Sequence, residues 1–128
     1  MEADLKYATF IHDRSINVLL FNISLWQSEL NFFKIESSFL KKLLNTYPFK
    51  SKAQNMFERI QLFILEIDNF EGRTDLLLTR VSLHKKQLRT KVKYCDSNYI
   101  KLSEDFFNYL EEYKKLKVRI YQYINSMI

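Results

Sequence analysis

Residues 53–88 read AQNMFERIQLFILEIDNFEGRTDLLLTRVSLHKKQL. In this stretch a series of mostly apolar residues, which we expect to face the core, repeats at alternating spacings of three and four residues. That alternation places every member on one side of an α-helix and persists through about five heptads. Its polar members are Thr74 and His84. The pattern therefore predicts one long amphipathic helix. The full series is Ala53, Met56, Ile60, Phe63, Ile67, Phe70, Thr74, Leu77, Val81, His84 and Leu88.

The same alternation appears on both sides of this stretch. A first series precedes it with Ser37 as its one polar break, and a third series follows it with no charged member. A sustained 3.5-residue repeat is typical of helices that pack side by side with a slight left-handed supercoil. The first series is Ile16, Leu19, Ile23, Trp26, Leu30, Phe33, Ser37, Leu40 and Leu44. The third is Tyr99, Leu102, Phe106, Tyr109, Tyr113, Leu116, Ile120, Tyr123 and Met127.

Two short polar segments separate the three series. Pro48 disfavours helical dihedrals at Tyr47, and Asp96-Ser97-Asn98 forms the second break, although a four-residue stutter in one continuous helix would give the same pattern at residues 95–98. We predict a single domain with helices over about residues 5–45, 51–93 and 98–126. Because the breaks are short, neighbouring helices should run antiparallel, which gives an all-α, elongated three-helix bundle with coiled-coil-like heptad seams.

The composition excludes several other classes. The chain has 128 residues but only one Gly and one Pro, so it lacks the turn residues that a sandwich, a barrel or a doubly wound sheet requires. Its longest apolar runs, residues 18–21 and 62–65, fall far short of the ~20 residues that span a bilayer. One cysteine cannot form an internal disulfide, and we therefore expect a cytoplasmic protein.

The predicted first helix carries a second apolar set on the side opposite its main series. A helix that is apolar nearly all round is either enclosed by neighbours or covered by a partner. Two neighbouring helices could require such a wide stripe; alternatively, the face joins two bundles into a six-helix dimer. We favour the dimer, because Phe21 and Ile35 point nearly straight away from the main series. The predicted interface residues are Phe21, Leu25, Phe32, Ile35 and Phe39.

The charge pattern permits a nucleic-acid site but argues against it. The net charge is +5, and a run of basic residues between Asp75 and Asp96 contains no acid. Arg80, Lys85, Lys86 and Arg89 of this run are the candidate phosphate ligands. Antiparallel pairing, however, sets the acids of residues 104–112 beside this run and the acids of residues 66–75 beside the basic residues 114–119. Such charges usually set helix register.

No motif for catalysis occurs: there is no Gly-rich phosphate loop, CxxC, HExxH or nucleophile elbow, so we expect no enzymatic activity and no cofactor.

Folding the chain about Pro48 pairs positions whose numbers add up to about 96. His12 and His84 would then lie at the same level along the bundle axis. A second fold about residues 96–97 would bring Tyr109 of the third helix to that level. This layer is either a hydrogen-bonded polar layer that fixes register or a site for a metal ion or small ligand, since neutral imidazoles bind zinc.

The sequence thus predicts a non-enzymatic interaction or scaffold protein that self-associates through its first helix. The alternative is a bundle that binds a metal or small ligand through His12, His84 and Tyr109. A second alternative is a basic protein that binds nucleic acid.

Overall fold

The computed structural model describes residues 16–46, 54–90, 94 and 96–127, and these are helical apart from Thr90 and Tyr94. The helices are α1 (Ile16–Thr46), α2 (Gln54–Arg89) and α3 (Asp96–Met127). No strand occurs in these ranges, which confirms the predicted all-helical class. None of these three helices offers an apolar length sufficient to traverse a lipid bilayer.

The second break lies earlier in the chain than the sequence predicts. α2 ends at Arg89, where both the amide and the hydroxyl of Thr90 donate hydrogen bonds to the carbonyl oxygen of Lys86 at 3.0 Å. α3 begins at Asp96, whose carboxylate in the first turn is favoured by the helix dipole. Because Tyr94 is not helical, α2 and α3 are not one continuous helix. Residues 5–15, 51–53 and 91–93, which the prediction made helical, lie outside the described residues.

Most buried side chains lie at the predicted inward positions, although Phe63 and Phe70 of the second series are only partly buried. All eight buried residues of α1 belong to its series, whereas Ile16, the first member, is 39% exposed. Tyr94 and Ile124 are buried although no series contains them. The polar members Ser37, Thr74 and His84 are also buried, as their positions in the series require.

Three side-chain contacts fix the register of α1 against α2. A step of seven residues forward along α1 corresponds to a step of seven residues back along α2, so the two helices are antiparallel. In each contact the two residue numbers add up to 109. The prediction that paired numbers on α1 and α2 add up to about 96 is therefore wrong. Pro48 limits where α1 can continue, but it does not set the height at which side chains meet. The contacts are Gln27–Ser82 at 3.5 Å, Lys34–Asp75 at 2.9 Å and Lys41–Asp68 at 2.9 Å.

α3 runs antiparallel to α2 and parallel to α1. The backbones of α1 and α2 approach each other more closely than those of α1 and α3. Large rings fill the wider space: Trp26 stacks on Tyr99 at 5.5 Å and on Phe106 at 5.3 Å between ring centroids, and Phe33 lies 4.5 Å from Tyr113. The three helices therefore follow an up-down-up order, and α3 is held to α1 mainly by aromatic contacts.

Candidate interaction surface

The five predicted interface residues are all exposed on α1. Together with Val18 they form a set that we call the α1 ladder, and Ser28 occupies the gap in its alternation of three and four residues. The members and their exposed fractions are Val18 52%, Phe21 63%, Leu25 48%, Phe32 55%, Ile35 70% and Phe39 55%.

The α1 ladder is nearly free of charge. Residues 16–33 contain a single charged side chain, Glu29. The inward side of the same helix is occupied by the core, where Ile23 and Leu30 are fully buried. α1 therefore has two apolar sides, of which the three-helix fold uses one.

The α1 ladder is as large as the largest apolar patches that monomeric proteins usually expose. Three of the six residues are phenylalanines, whose side chains offer about 150–250 Å² each. With the three aliphatic residues, and at exposed fractions of 48–70%, the ladder presents roughly 600 Å² of apolar surface. The largest apolar patch on a typical monomeric protein is about 300–600 Å². The ladder lies at the upper end of that range.

Ion pairs line the contact between α1 and α2. Lys41 Nζ lies 2.5 Å from Glu71 Oε1 and 2.9 Å from Asp68 Oδ1, and hydrogen bonds to these two acids raise the pKa of Lys41. Ser37 Oγ donates to Glu71 Oε2 at 3.3 Å. Exposed pairs of this kind contribute about 0–1 kcal/mol each, so their main effect is on register.

The contact between α2 and α3 is lined in the same way. Arg80 Nη1 lies 2.8 Å from Asp105 Oδ2. Burial alone would raise the pKa of Asp105, but hydrogen bonds from Arg80 and Lys101 lower it. Two further pairs follow at successive steps of seven residues in one direction along the two helices: Arg73–Glu112 at 2.5 Å and Arg119–Glu66 at 3.1 Å. Both contacts of α2 are thus bordered by charge.

The contact between α1 and α3 differs. The one ion pair that the described residues form there joins Lys117 to Glu36 at 3.0 Å, and the Glu36 side chain is only 14% exposed. Tyr113 donates to the same carboxylate at 2.7 Å. Burial raises the pKa of Tyr113, and the hydrogen bond to Glu36 and its negative charge raise it further. The Lys117 side chain is 25% exposed, so this pair is more buried than the pairs that border α2 but still reaches the surface.

Two exposed apolar residues of α3, which the sequence analysis missed, border this contact. Phe107 is 51% exposed and meets Trp26 edge-on at 6.0 Å between ring centroids. Val118 is 52% exposed and follows Lys117, the partner of Glu36. Eleven residues are close to three helical turns, so Phe107 and Val118 lie on one side of α3. This spacing was the available signal in the sequence.

The structure does not bring His84 and Tyr109 together. His84 Nδ1 and the Tyr94 hydroxyl form a hydrogen bond of 2.5 Å. The Thr74 hydroxyl donates to the carbonyl oxygen of Phe70 at 2.7 Å and therefore accepts the hydrogen bond from the Tyr109 hydroxyl. Thr74 and His84 are ten residues apart on α2, which corresponds to about 15 Å along the helix axis.

His12, the third member of the predicted layer, lies outside the described residues. Within the described part of the chain, no three His, Cys, Asp or Glu side chains group so that they could hold a metal ion. Burial lowers the pKa of His84, and the positive charge of Arg80 lowers it further. Burial raises the pKa of Tyr109. Metal or small-ligand binding by His12, His84 and Tyr109 remains a prediction.

The candidate nucleic-acid residues occupy different environments. Arg80 is paired with Asp105, as the predicted opposition of charges requires, whereas Lys85 Nζ donates to Gln27 Oε1 on α1 at 2.8 Å. Lys86 and Arg89 are exposed in the last turn of α2. There the negative end of the helix dipole favours positively charged side chains.

The sequence predicts that the acids of residues 66–75 all face α3. This prediction is wrong for three of the four acids. Glu66 binds Arg119 on α3, but Asp68, Glu71 and Asp75 bind the lysines of α1. The rotation of α2 about its axis decides which neighbour each acid faces.

No protein-family model, curated protein or solved structure gave a significant match to this chain.

Proposed function

We propose that this chain is a non-enzymatic interaction or scaffold module that self-associates through the α1 ladder. The observation that carries the proposal is the exposure of six apolar side chains at heptad spacing on a helix whose first 18 residues, 16–33, hold one charge. Exposed apolar residues in such number mark interaction sites in soluble proteins.

A second copy of the same helix is the partner that this surface fits. A ladder of alternating three- and four-residue spacing matches the knob-and-hole packing of another helix with the same spacing. An uncharged face has no like charges to bring together when it meets itself, so it is self-complementary in a two-fold dimer. The predicted product is a six-helix dimer with coiled-coil packing at its centre. One cysteine, which cannot pair within the chain, is compatible with a cytoplasmic location.

Sedimentation analysis tests the proposal. The parent chain should sediment as a dimer at tens of micromolar, and Phe32→Ser should shift it towards monomer because the side chain is half exposed and its removal leaves the core intact. Leu65→Ser is the matched control, since Leu65 is 64% exposed on α2 and outside the ladder. A parent chain that stays monomeric, or a Leu65→Ser variant that dissociates as readily as Phe32→Ser, would contradict the proposal.

A further inference from the structure

The three interhelical contacts are not equivalent at the surface. Ion pairs at seven-residue intervals border the contacts α1–α2 and α2–α3. The α1–α3 contact has a single such pair among the described residues, Lys117–Glu36. Leu25 lies three residues after Asn22, which bonds Tyr99 on α3, and Phe32 lies four residues before Glu36, so both lie on the side of α1 that borders α3, as Phe107 borders α1. In an isolated coiled-coil bundle, charged residues ordinarily flank every seam. The α1–α3 edge has the composition of a seam that another helix covers.

The contacts between α1 and α3 show which residues of α1 lie beside Phe107 and Val118 along the bundle axis. Trp26 touches Phe107, and Glu36 touches Lys117. Phe107 therefore lies near the height of Ser28, where the α1 ladder lacks an apolar member, and Val118 lies near the height of Phe39. The two sets together outline a groove between α1 and α3.

We infer that the α1 ladder of a second copy packs into this groove, so that α3 contributes Phe107 and Val118 to the interface. This inference rests on the proposed function. A docked α1 would contact α1 and α3 of the first copy, and two-fold symmetry would give a central layer of four helices, α1 and α3 from each copy. α2 lies outside this layer.

The area supports a second copy in the groove rather than on α1 alone. The ladder by itself presents roughly 600 Å², and two half-exposed residues on α3 raise this to about 800 Å², the share that each partner contributes to a standard stable interface. Lys114 is exposed between Phe107 and Val118, and its flexible stem allows the ammonium group to stay at the edge while its methylenes pack. An acidic or basic partner would find little complementary charge on the ladder.

Four variants compared by sedimentation equilibrium test the inference: Phe32→Ser, Phe107→Ser, Phe107→Leu and Leu76→Ser. Phe107→Ser should weaken dimerisation by at least about tenfold, because truncation of a central anchor at an interface commonly costs that much. Phe107→Leu should retain most of the affinity. Leu76→Ser is the control, since Leu76 is 69% exposed on α2. Circular dichroism verifies that each variant keeps its helices.

The outcomes separate the inference from the function on which it rests. If Phe32→Ser dissociates the dimer while Phe107→Ser behaves as the parent, the groove is wrong and self-association through α1 stands. If Leu76→Ser dissociates the dimer as much as Phe107→Ser does, the surface is not confined to α1 and α3, and the inference is overturned. A parent chain that is monomeric and binds vesicles of anionic lipid overturns both the groove and the proposed function.

Discussion

The hydrogen bond between Thr74 and Tyr109 gives a quantitative test of the core. Thr74 is 2% exposed and Tyr109 is 1% exposed, so neither hydroxyl can turn to water. Thr74→Val keeps the volume of the side chain but removes the acceptor for the Tyr109 hydroxyl. A buried donor without a partner costs about 1–3 kcal/mol, and we expect Thr74→Val to destabilise the fold by about 2 kcal/mol.

Tyr109→Phe should cost less than Thr74→Val. The Thr74 hydroxyl still donates to the carbonyl oxygen of Phe70 at 2.7 Å, so no buried donor is left unsatisfied. We expect about 1 kcal/mol, the net contribution of an ordinary hydrogen bond. The double variant removes both hydroxyl groups and should cost less than the sum of the single variants, with a coupling of about 1–2 kcal/mol.

Urea unfolding followed by far-ultraviolet circular dichroism measures these differences. With a slope of about 2 kcal/mol per M, the midpoint of Thr74→Val should fall by about 1 M. The series is best carried out in the Phe32→Ser background at one protein concentration, because self-association would add to the apparent stability. Strict additivity of the two substitutions, with a coupling under about 0.3 kcal/mol, would refute the hydrogen bond as the cause.

Three further measurements test the structure. Because the pKa of His84 is lowered in the fold, the unfolded chain binds the proton more readily; stability should be constant above about pH 6.5 and fall as the pH drops below it, and His84→Gln should flatten that dependence in thermal melts. Gly72→Ala should raise stability by about 1 kcal/mol in urea unfolding, because no atom lies within 4 Å of the added Cβ; a loss of stability would contradict the packing around it. Since the pKa values of Tyr109 and Tyr113 are raised, stability should decline as the pH rises above about 10, and an absorbance titration of the native protein should show these two tyrosines ionising above the usual pH of a tyrosine. Ionisation of both at an ordinary pH without unfolding would contradict their burial.

The inward face of each helix could be predicted from the sequence because spacing alone encodes it. Ile23, Leu30 and Val81 are fully buried at the positions that the alternation of three and four residues requires. The exposure of Phe32 and Ile35 follows from the same geometry, since a residue that lies opposite the core of a three-helix fold meets no neighbour within the chain.

The relation between helices could not be predicted in this way. The register of α1 against α2 depends on where Lys34 and Lys41 find carboxylates on α2, and no periodicity within one helix contains that information. The predicted layer of His84 and Tyr109 failed for the same kind of reason, because pairs such as Arg80–Asp105 set the register of α2 against α3. Phe107 was missed because its role depends on the rotation of α3, which turns it towards Trp26.

Trp26 is the one tryptophan of the chain, and it lies between rings of α3 on one side and the edge of the proposed groove on the other. The fluorescence of its indole therefore reports on one contact in the molecule, the aromatic packing between α1 and α3. Emission at short wavelength would report that α3 remains docked on α1, and a red shift that precedes the loss of helical signal would show that this aromatic contact opens first.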